Sequence, residues 1–176
     1  MSETLKTLET RRSCRAYRPD PVEDEKLEAI LKAGTYAASG MGRQSAIIIA
    51  VTNKEMRDRL SGLNAAVMGK KPEELDPFYG APAVLVVLSD RSMPTHVYDG
   101  ALVMGNLMNA AQDLGIASCW VHRAKEVFDS EEGKAILKEI GIEGDYEGIG
   151  NLIIGYAAEP SKEAPARKEN YVYYVR

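Results

Sequence analysis

HVYDGALVMGNLMNAAQDLGIASCWVH, residues 96–122, holds a long helix, its stop signal and a strand in one run. From about His96 to Leu114 the apolar side chains Val97, Leu102, Met104, Leu107, Met108 and Leu114 fall nearly all round a helical wheel, which marks a helix buried in a core or at a subunit interface. Gly100, Ala101, Gly105, Ala110 and Ala111 are small enough to let neighbouring helices approach closely. Gly115 ends the helix as a left-handed cap would. Ile116–His122 then reads as a strand, with Arg123 just past its end.

Two further apolar runs carry no polar alternation: Ser45–Thr52 and Ala83–Leu88. Such runs suit strands buried on both faces. Helical spacing predicts a short helix over 3–10, amphipathic helices over 22–38 and 53–68, and another over 124–140 stopped by Gly141. The polar segment Gly69–Tyr79 is long enough to be a lid over a site. Ile149–Tyr156 predicts a fourth strand, and Tyr171-Val-Tyr-Tyr-Val175, after an irregular tail, a fifth. These elements form a single domain spanning 1–176, of α/β or α+β class. A terminal strand with an extended lead-in can reach a neighbouring subunit, so a dimer is expected.

The composition narrows the function. The formal net charge of -4 disfavours a nucleic-acid partner, which usually needs a broad basic face. No apolar run approaches a membrane span, the first residues lack the pattern of a secretory signal, and a cytoplasmic location is expected. Two cysteines and two histidines are too few for a zinc or iron–sulfur site, so no metal is expected. Against this acidic background, Arg11-Arg12-Ser13-Cys14-Arg15-Ala16-Tyr17-Arg18 stands out. Four guanidinium forks and a hydroxyl in one proline-terminated segment suit a small oxyanion such as a phosphate, and equally an exposed basic turn. Downstream, Ala37-Ala38-Ser39-Gly40-Met41-Gly42-Arg43-Gln44 is a loop of small residues through which a ligand could approach backbone, or an ordinary connection into the next strand. There is no dinucleotide fingerprint, P-loop, nucleophile elbow or H-E-x-x-H pair. Chemistry, if any, falls to a cofactor.

These motifs, in this order, resemble the FMN-dependent nitroreductases. The opening Arg11–Tyr17 is similar to that family's arginine-x-serine-x-basic-x-aromatic signature. The loop ending in Gln44, the long helix into Ile116–His122, and Ile154-Gly-Tyr156 followed by Pro165-Ala-Arg167-Lys168 are similar to its later motifs. The resemblance implies an α+β fold with a mainly antiparallel, mixed five-stranded sheet flanked by helices, and a C-terminal strand exchanged with the partner of a homodimer. It implies FMN at the interface: Arg11, Ser13 and Arg15 on its phosphate and ribityl chain, Arg12 near the ring edge, and Arg167 completing the clamp. Val121, His122 and Arg123 would lie along the ring. Ala38, Ser39 and Gly40 would come from the partner, with Gln44 ordering their loop.

Three departures bear on function. Gly42 stands where the family commonly has asparagine, and Ser45-Ala46 follow the glutamine in place of tryptophan or proline. His122 and Arg123 stand where larger members place an acidic residue. Either side chain against the ring would favour its anionic reduced form, and His122 could relay a proton; alternatively only the two amides face the ring. The resemblance therefore implies electron transfer from NAD(P)H through FMN to a small oxidised acceptor such as a nitroaromatic or quinone. The alternatives are a flavin storage or sensor protein without turnover, or a member with a different flavin reaction.

Overall fold

A four-stranded antiparallel sheet in the order β1-β2-β4-β3 organises the computed structural model, which describes residues 1–176. In chain order the elements are α1 (Glu3–Thr10), α2 (Asp24–Thr35), β1 (Ala46–Val51), α3 (Lys54–Val67), β2 (Ala83–Asp90), α4 (His96–Asp113), β3 (Ala117–Val121), α5 (Ala124–Asp129), α6 (Glu131–Glu139) and β4 (Tyr146–Gly155). Of the two runs without alternation, β2 is a central strand buried on both faces as expected, whereas β1, expected to be buried likewise, lies at the sheet edge and is mostly only half-buried. Every residue of β2 from Ala83 to Ser89 is buried, as are Gly148–Gly155 of β4.

Alternation along β2 allots its side chains to two cores. Leu85 and Val87 face Ile30 of α2 and Met104, Leu107 and Ala111 of α4, together with Leu152 and Ile154. Val84, Val86 and Leu88 face the other way, onto Leu60 of α3, Phe78, and Val127 and Phe128 of α5. Close approach of α2 to α4 depends on Gly34, where a Cβ would fall 2.6 Å from Leu107 Cδ2. The ends of the helices are set locally. The Asn53 side chain accepts from Met56 N–H at 2.9 Å to start α3, and Gly115 at φ 72° closes α4.

Several expectations need correction. The sheet has four strands, not five, and Tyr171–Val175 forms no strand; Tyr171, Tyr173 and Tyr174 are 68%, 80% and 74% exposed. Apolar, aromatic composition reports a preference for pairing but not the presence of a partner, and within this chain the tail finds none. The sheet is wholly antiparallel, and the one parallel contact is an isolated bridge between Ser13 and Ser118. The helix expected over 124–140 is two helices: Ser130 adopts extended backbone (φ -75°, ψ 161°) and caps α6 by accepting from Gly133 N–H at 3.1 Å.

Candidate functional site

The arginine segment is not a loose turn. Past α1 the chain runs along the free edge of β3, where Cys14 N–H donates to the Ser118 carbonyl at 2.9 Å. It then joins the end of β4 through Arg18 N–H to the Tyr156 carbonyl at 2.8 Å and Ala158 N–H to the Ala16 carbonyl at 2.9 Å. Tyr17 Oη donates to the Cys14 carbonyl at 3.0 Å; burial, reinforced by the thiols of Cys14 and Cys119, pushes that phenol far above its ordinary range.

Arg11, Arg12 and Arg15 form no ion pair, although the chain carries 26 acidic residues. Arg12 Nη1 donates to the carbonyls of Glu9 at 2.8 Å and Arg11 at 2.6 Å, which orients its fork. Arg11 Nη1 and Arg12 Nε are buried with no partner at all. Buried donors normally find an acceptor, so this unsatisfied cluster fits an oxyanion with several oxygens, as a phosphate has. Arg18 belongs to a different environment, pairing with Asp20 at 3.7 Å and lying 4.9 Å over the Tyr156 ring.

Arg15 opens into a cleft of about 240 Å³ whose floor is Cys119–Arg123 at the end of β3. Asn64 and Met68 of α3 and Leu75, Pro77 and Tyr79 of the following loop complete its walls. Val121 is half-buried, whereas His122 and Arg123 are exposed. Arg123 holds left-handed backbone at φ 79° as the chain turns from β3 into α5, and its Nη1 donates to Glu126 Oε1 at 2.7 Å. Burial raises the Glu126 pKa, but the Arg123 fork outweighs it and holds the carboxyl below its usual range. Beneath the floor, the wholly buried Asn151 donates from Nδ2 to Asn64 Oδ1 at 3.1 Å and to the His122 carbonyl at 3.4 Å. Sequence reasoning missed this pair. Its signal was a lone amide inside the apolar run Ile149–Ile154.

The expected lid is a fixed wall along its second half. Asp76 accepts from Arg57 Nη2 at 2.6 Å, Ser61 Oγ at 2.5 Å, and the N–H groups of Phe78 at 2.9 Å and Gly80 at 2.7 Å. Tyr79, at φ 51°, is thereby presented to the cleft from a pinned backbone.

The other expected residues lie elsewhere. Ala38, Ser39 and Gln44 line a second cleft of about 380 Å³ with Leu31, Ala46, Ile48, Asp99 and Val103, on the β1 side of the molecule. Gly40 sits in the same loop. Since β1 and β3 are opposite edges of the sheet, three strand spacings or roughly 14 Å separate them. One chain thus brings Arg15 together with Val121, His122 and Arg123, with Ser13 bridged to Ser118 and Arg11 and Arg12 just upstream in the same segment, but not the 38–44 loop. Arg167 also stands apart. It is exposed, and its Nη2 donates to the Pro165 carbonyl at 2.7 Å, not to anything near Arg15.

An antiparallel α+β sheet with an arginine-rimmed cleft at one edge and a small-residue loop at the other defines a nitroreductase-like architecture. The chain belongs to the Nitroreductase family, whose sequence profile matches residues 8–156. A protein of Archaeoglobus fulgidus, provisionally named an NADH dehydrogenase/NAD(P)H nitroreductase, is 32% identical over 145 residues, covering 80% of this chain and 76% of that one. Crystal structures of nitroreductases with bound FMN from Bacteroides fragilis and Desulfitobacterium hafniense are 30% and 29% identical, superpose with TM-scores of 0.87 and 0.85, and are covered in full, as is this chain. FMN reductase [NAD(P)H] of Bacillus subtilis is 24% identical over 94% of this chain and 70% of its own length.

Proposed function

We propose that this protein is an FMN-dependent NAD(P)H oxidoreductase acting as a homodimer on a small oxidised acceptor such as a nitroaromatic or quinone. The observation that carries the reading is the arginine segment along β3, where Arg11 Nη1 and Arg12 Nε are buried without acceptors and Arg15 opens into the cleft. Bound FMN supplies the electron exchange between nicotinamide and acceptor. Arg11, Ser13 and Arg15 hold its phosphate and ribityl chain, and Arg12 lies near the ring edge. Val121, His122 and Arg123 border the ring. His122 is exposed to water, free to carry a proton between solvent and the cleft, while Arg123 keeps its charge balanced by Glu126.

The dimer reading rests on three unpartnered features. Strand β1 has a free edge, α4 exposes Val97, Tyr98 and Leu102 at 44%, 73% and 50%, and the aromatic tail is exposed. Pairing of the tail with the β1 edge of a second copy adds the fifth strand and buries its tyrosines. The same association brings the partner's small-residue loop to the flavin and moves Arg167 toward the phosphate.

The deciding experiment is spectroscopic. The purified protein should take up FMN, lose its flavin absorbance with NADH or NADPH under anaerobic conditions, and recover it on addition of a quinone. A protein that takes up no FMN overturns the reading, and one that binds FMN but is not bleached by either nicotinamide is a storage or sensor protein instead.

A further inference from the structure

The loop between α2 and β1 is strained. Met41, Gly42 and Gln44 all hold positive φ, at 53°, 66° and 52°. Two of them carry side chains, and left-handed backbone persists at such residues only where the surroundings over-determine it.

Asp99 over-determines it. This residue lies in the first turn of α4, 3% exposed, beside the cleft lined by Ala38, Ser39 and Gln44. Gly40 N–H donates to its Oδ1 at 2.9 Å, and Ser45 Oγ donates to its Oδ2 at 2.7 Å. Thr95 Oγ1 donates to the same Oδ2 at 3.1 Å, and Ser45 Oγ lies 3.0 Å from Ser89 Oγ of β2. One carboxylate therefore grips both ends of the turn, and Gln44 N–H closes it internally on Ser39 Oγ at 3.0 Å. Gly40 is part of the fit, since a Cβ there would press on Thr95, with Cγ2 at 3.0 Å. Burial raises the Asp99 pKa, but the donors Ser45, Gly40 and Thr95 together hold it below the usual carboxylate range, so the charged acceptor persists at neutral pH.

We infer that Asp99 is a positioning residue that holds Ser39–Gln44 in the shape that receives the flavin bound by the partner subunit's arginine clamp. The inference rests on the FMN dimer proposed above. It explains why a buried carboxylate without a salt-bridge partner is kept at this place: the hydrogen bonds it accepts from Gly40 and Ser45 order a backbone offered across the interface.

The test is FMN titration of the wild type, Asp99→Ala, Asp99→Asn, and the clamp variant Arg11→Ala/Arg15→Ala. A mixed dimer reconstituted from Asp99→Ala and clamp-variant subunits is titrated beside them. Circular dichroism and sedimentation report fold and assembly. Losing a charged acceptor shared by three donors should weaken FMN binding about tenfold or more in Asp99→Ala, with a shifted flavin absorption band and a smaller effect in Asp99→Asn. One of the two sites in the mixed dimer has an intact clamp and an intact loop, so one FMN per dimer should bind with wild-type affinity. Wild-type affinity and spectrum in the folded variants, or a mixed dimer no better than its parents, overturns the inference. If Asp99→Ala does not fold, Asp99→Asn decides by the same criteria. A wild type that binds no FMN overturns the proposed function itself, and the inference with it.

Discussion

Arg57, a buried guanidinium on α3, donates to Asp76 Oδ2 at 2.6 Å, and this pair turns the predicted lid into a wall. Its Nε also donates to the Ala81 carbonyl at 3.0 Å, so the fork ties both sides of the loop to the helix. Removing the carboxylate leaves the Arg57 charge with Asp58, at 3.0 Å, as its remaining counter-ion, and three further donors short of an acceptor. Asp76→Ala should lower unfolding stability by about 2–3 kcal/mol, given that Asp76 itself is partly exposed. Urea denaturation measures this, and an unchanged midpoint would contradict the role given to the pair.

The same carboxylate should shape the acid limb of stability. Burial raises the Asp76 pKa, but hydrogen bonds from Arg57, Ser61, Gly80 and Phe78 more than offset it, so the folded value lies below the ordinary one. A depressed folded pKa contributes stability that is complete above the unfolded value near ~4 and is lost as pH falls through the folded value. Between neutral pH and about pH 3, the wild type should therefore lose more stability than Asp76→Asn. Parallel pH profiles for the two proteins would speak against this assignment.

Arg11→Ala together with Arg15→Ala should release FMN while the fold persists, because neither side chain is in an ion pair or in the core. Two charge-assisted bonds at about 1.5–3 kcal/mol each correspond to a loss of roughly 100-fold or more in affinity. Flavin fluorescence titration reads this directly. Retention of FMN at unchanged affinity would remove the phosphate from this segment.

Asn151→Ala strips the donor from Asn64 Oδ1 and from the His122 carbonyl beneath the cleft floor. The expected cost is about 1–3 kcal/mol of stability for acceptors left buried without donors. The bound flavin spectrum should shift as the end of β3 relaxes. Thermal unfolding and absorbance spectra together test both halves of this statement.

Deleting residues 171–176 should leave the monomer's fold intact, since every residue removed is exposed. In the proposed dimer, where the tail pairs with the partner's β1 edge, the deletion should weaken association by at least about tenfold. Sedimentation across a concentration range measures it. A truncated protein as dimeric as the full chain would place the tail outside the interface.

Much of this was legible in the order of residues. The unbroken apolar run of β2 announced a central strand, because a strand covered on both faces leaves little room for polar side chains; the similar run of β1 misled, since it lies at the sheet edge. Gly115 and Gly141 marked helix ends, since the left-handed conformation they hold, at φ 72° and 75°, is costly for other residues. Other features could not be read this way. The break at Ser130 depends on one side-chain cap competing with helical propensity on either side. The pinning of the loop by Asp76 joins residues that are local in sequence to a guanidinium on another element.

The arginine segment shows where the division falls. Its composition alone supplied groups suited to an oxyanion, and equally to an exposed basic turn, since a guanidinium carries charge and forked donors wherever it stands. Whether those forks were paired with the chain's own carboxylates, or left open at a cleft, depended on the bridge of Ser13 to Ser118 that stitches the segment along β3. Likewise, the small-residue loop was visible as a stretch, but its place at the opposite sheet edge follows from the strand order β1-β2-β4-β3. Local chemistry is encoded residue by residue; which chemistries meet is set by long-range pairing, a property of the folded chain as a whole.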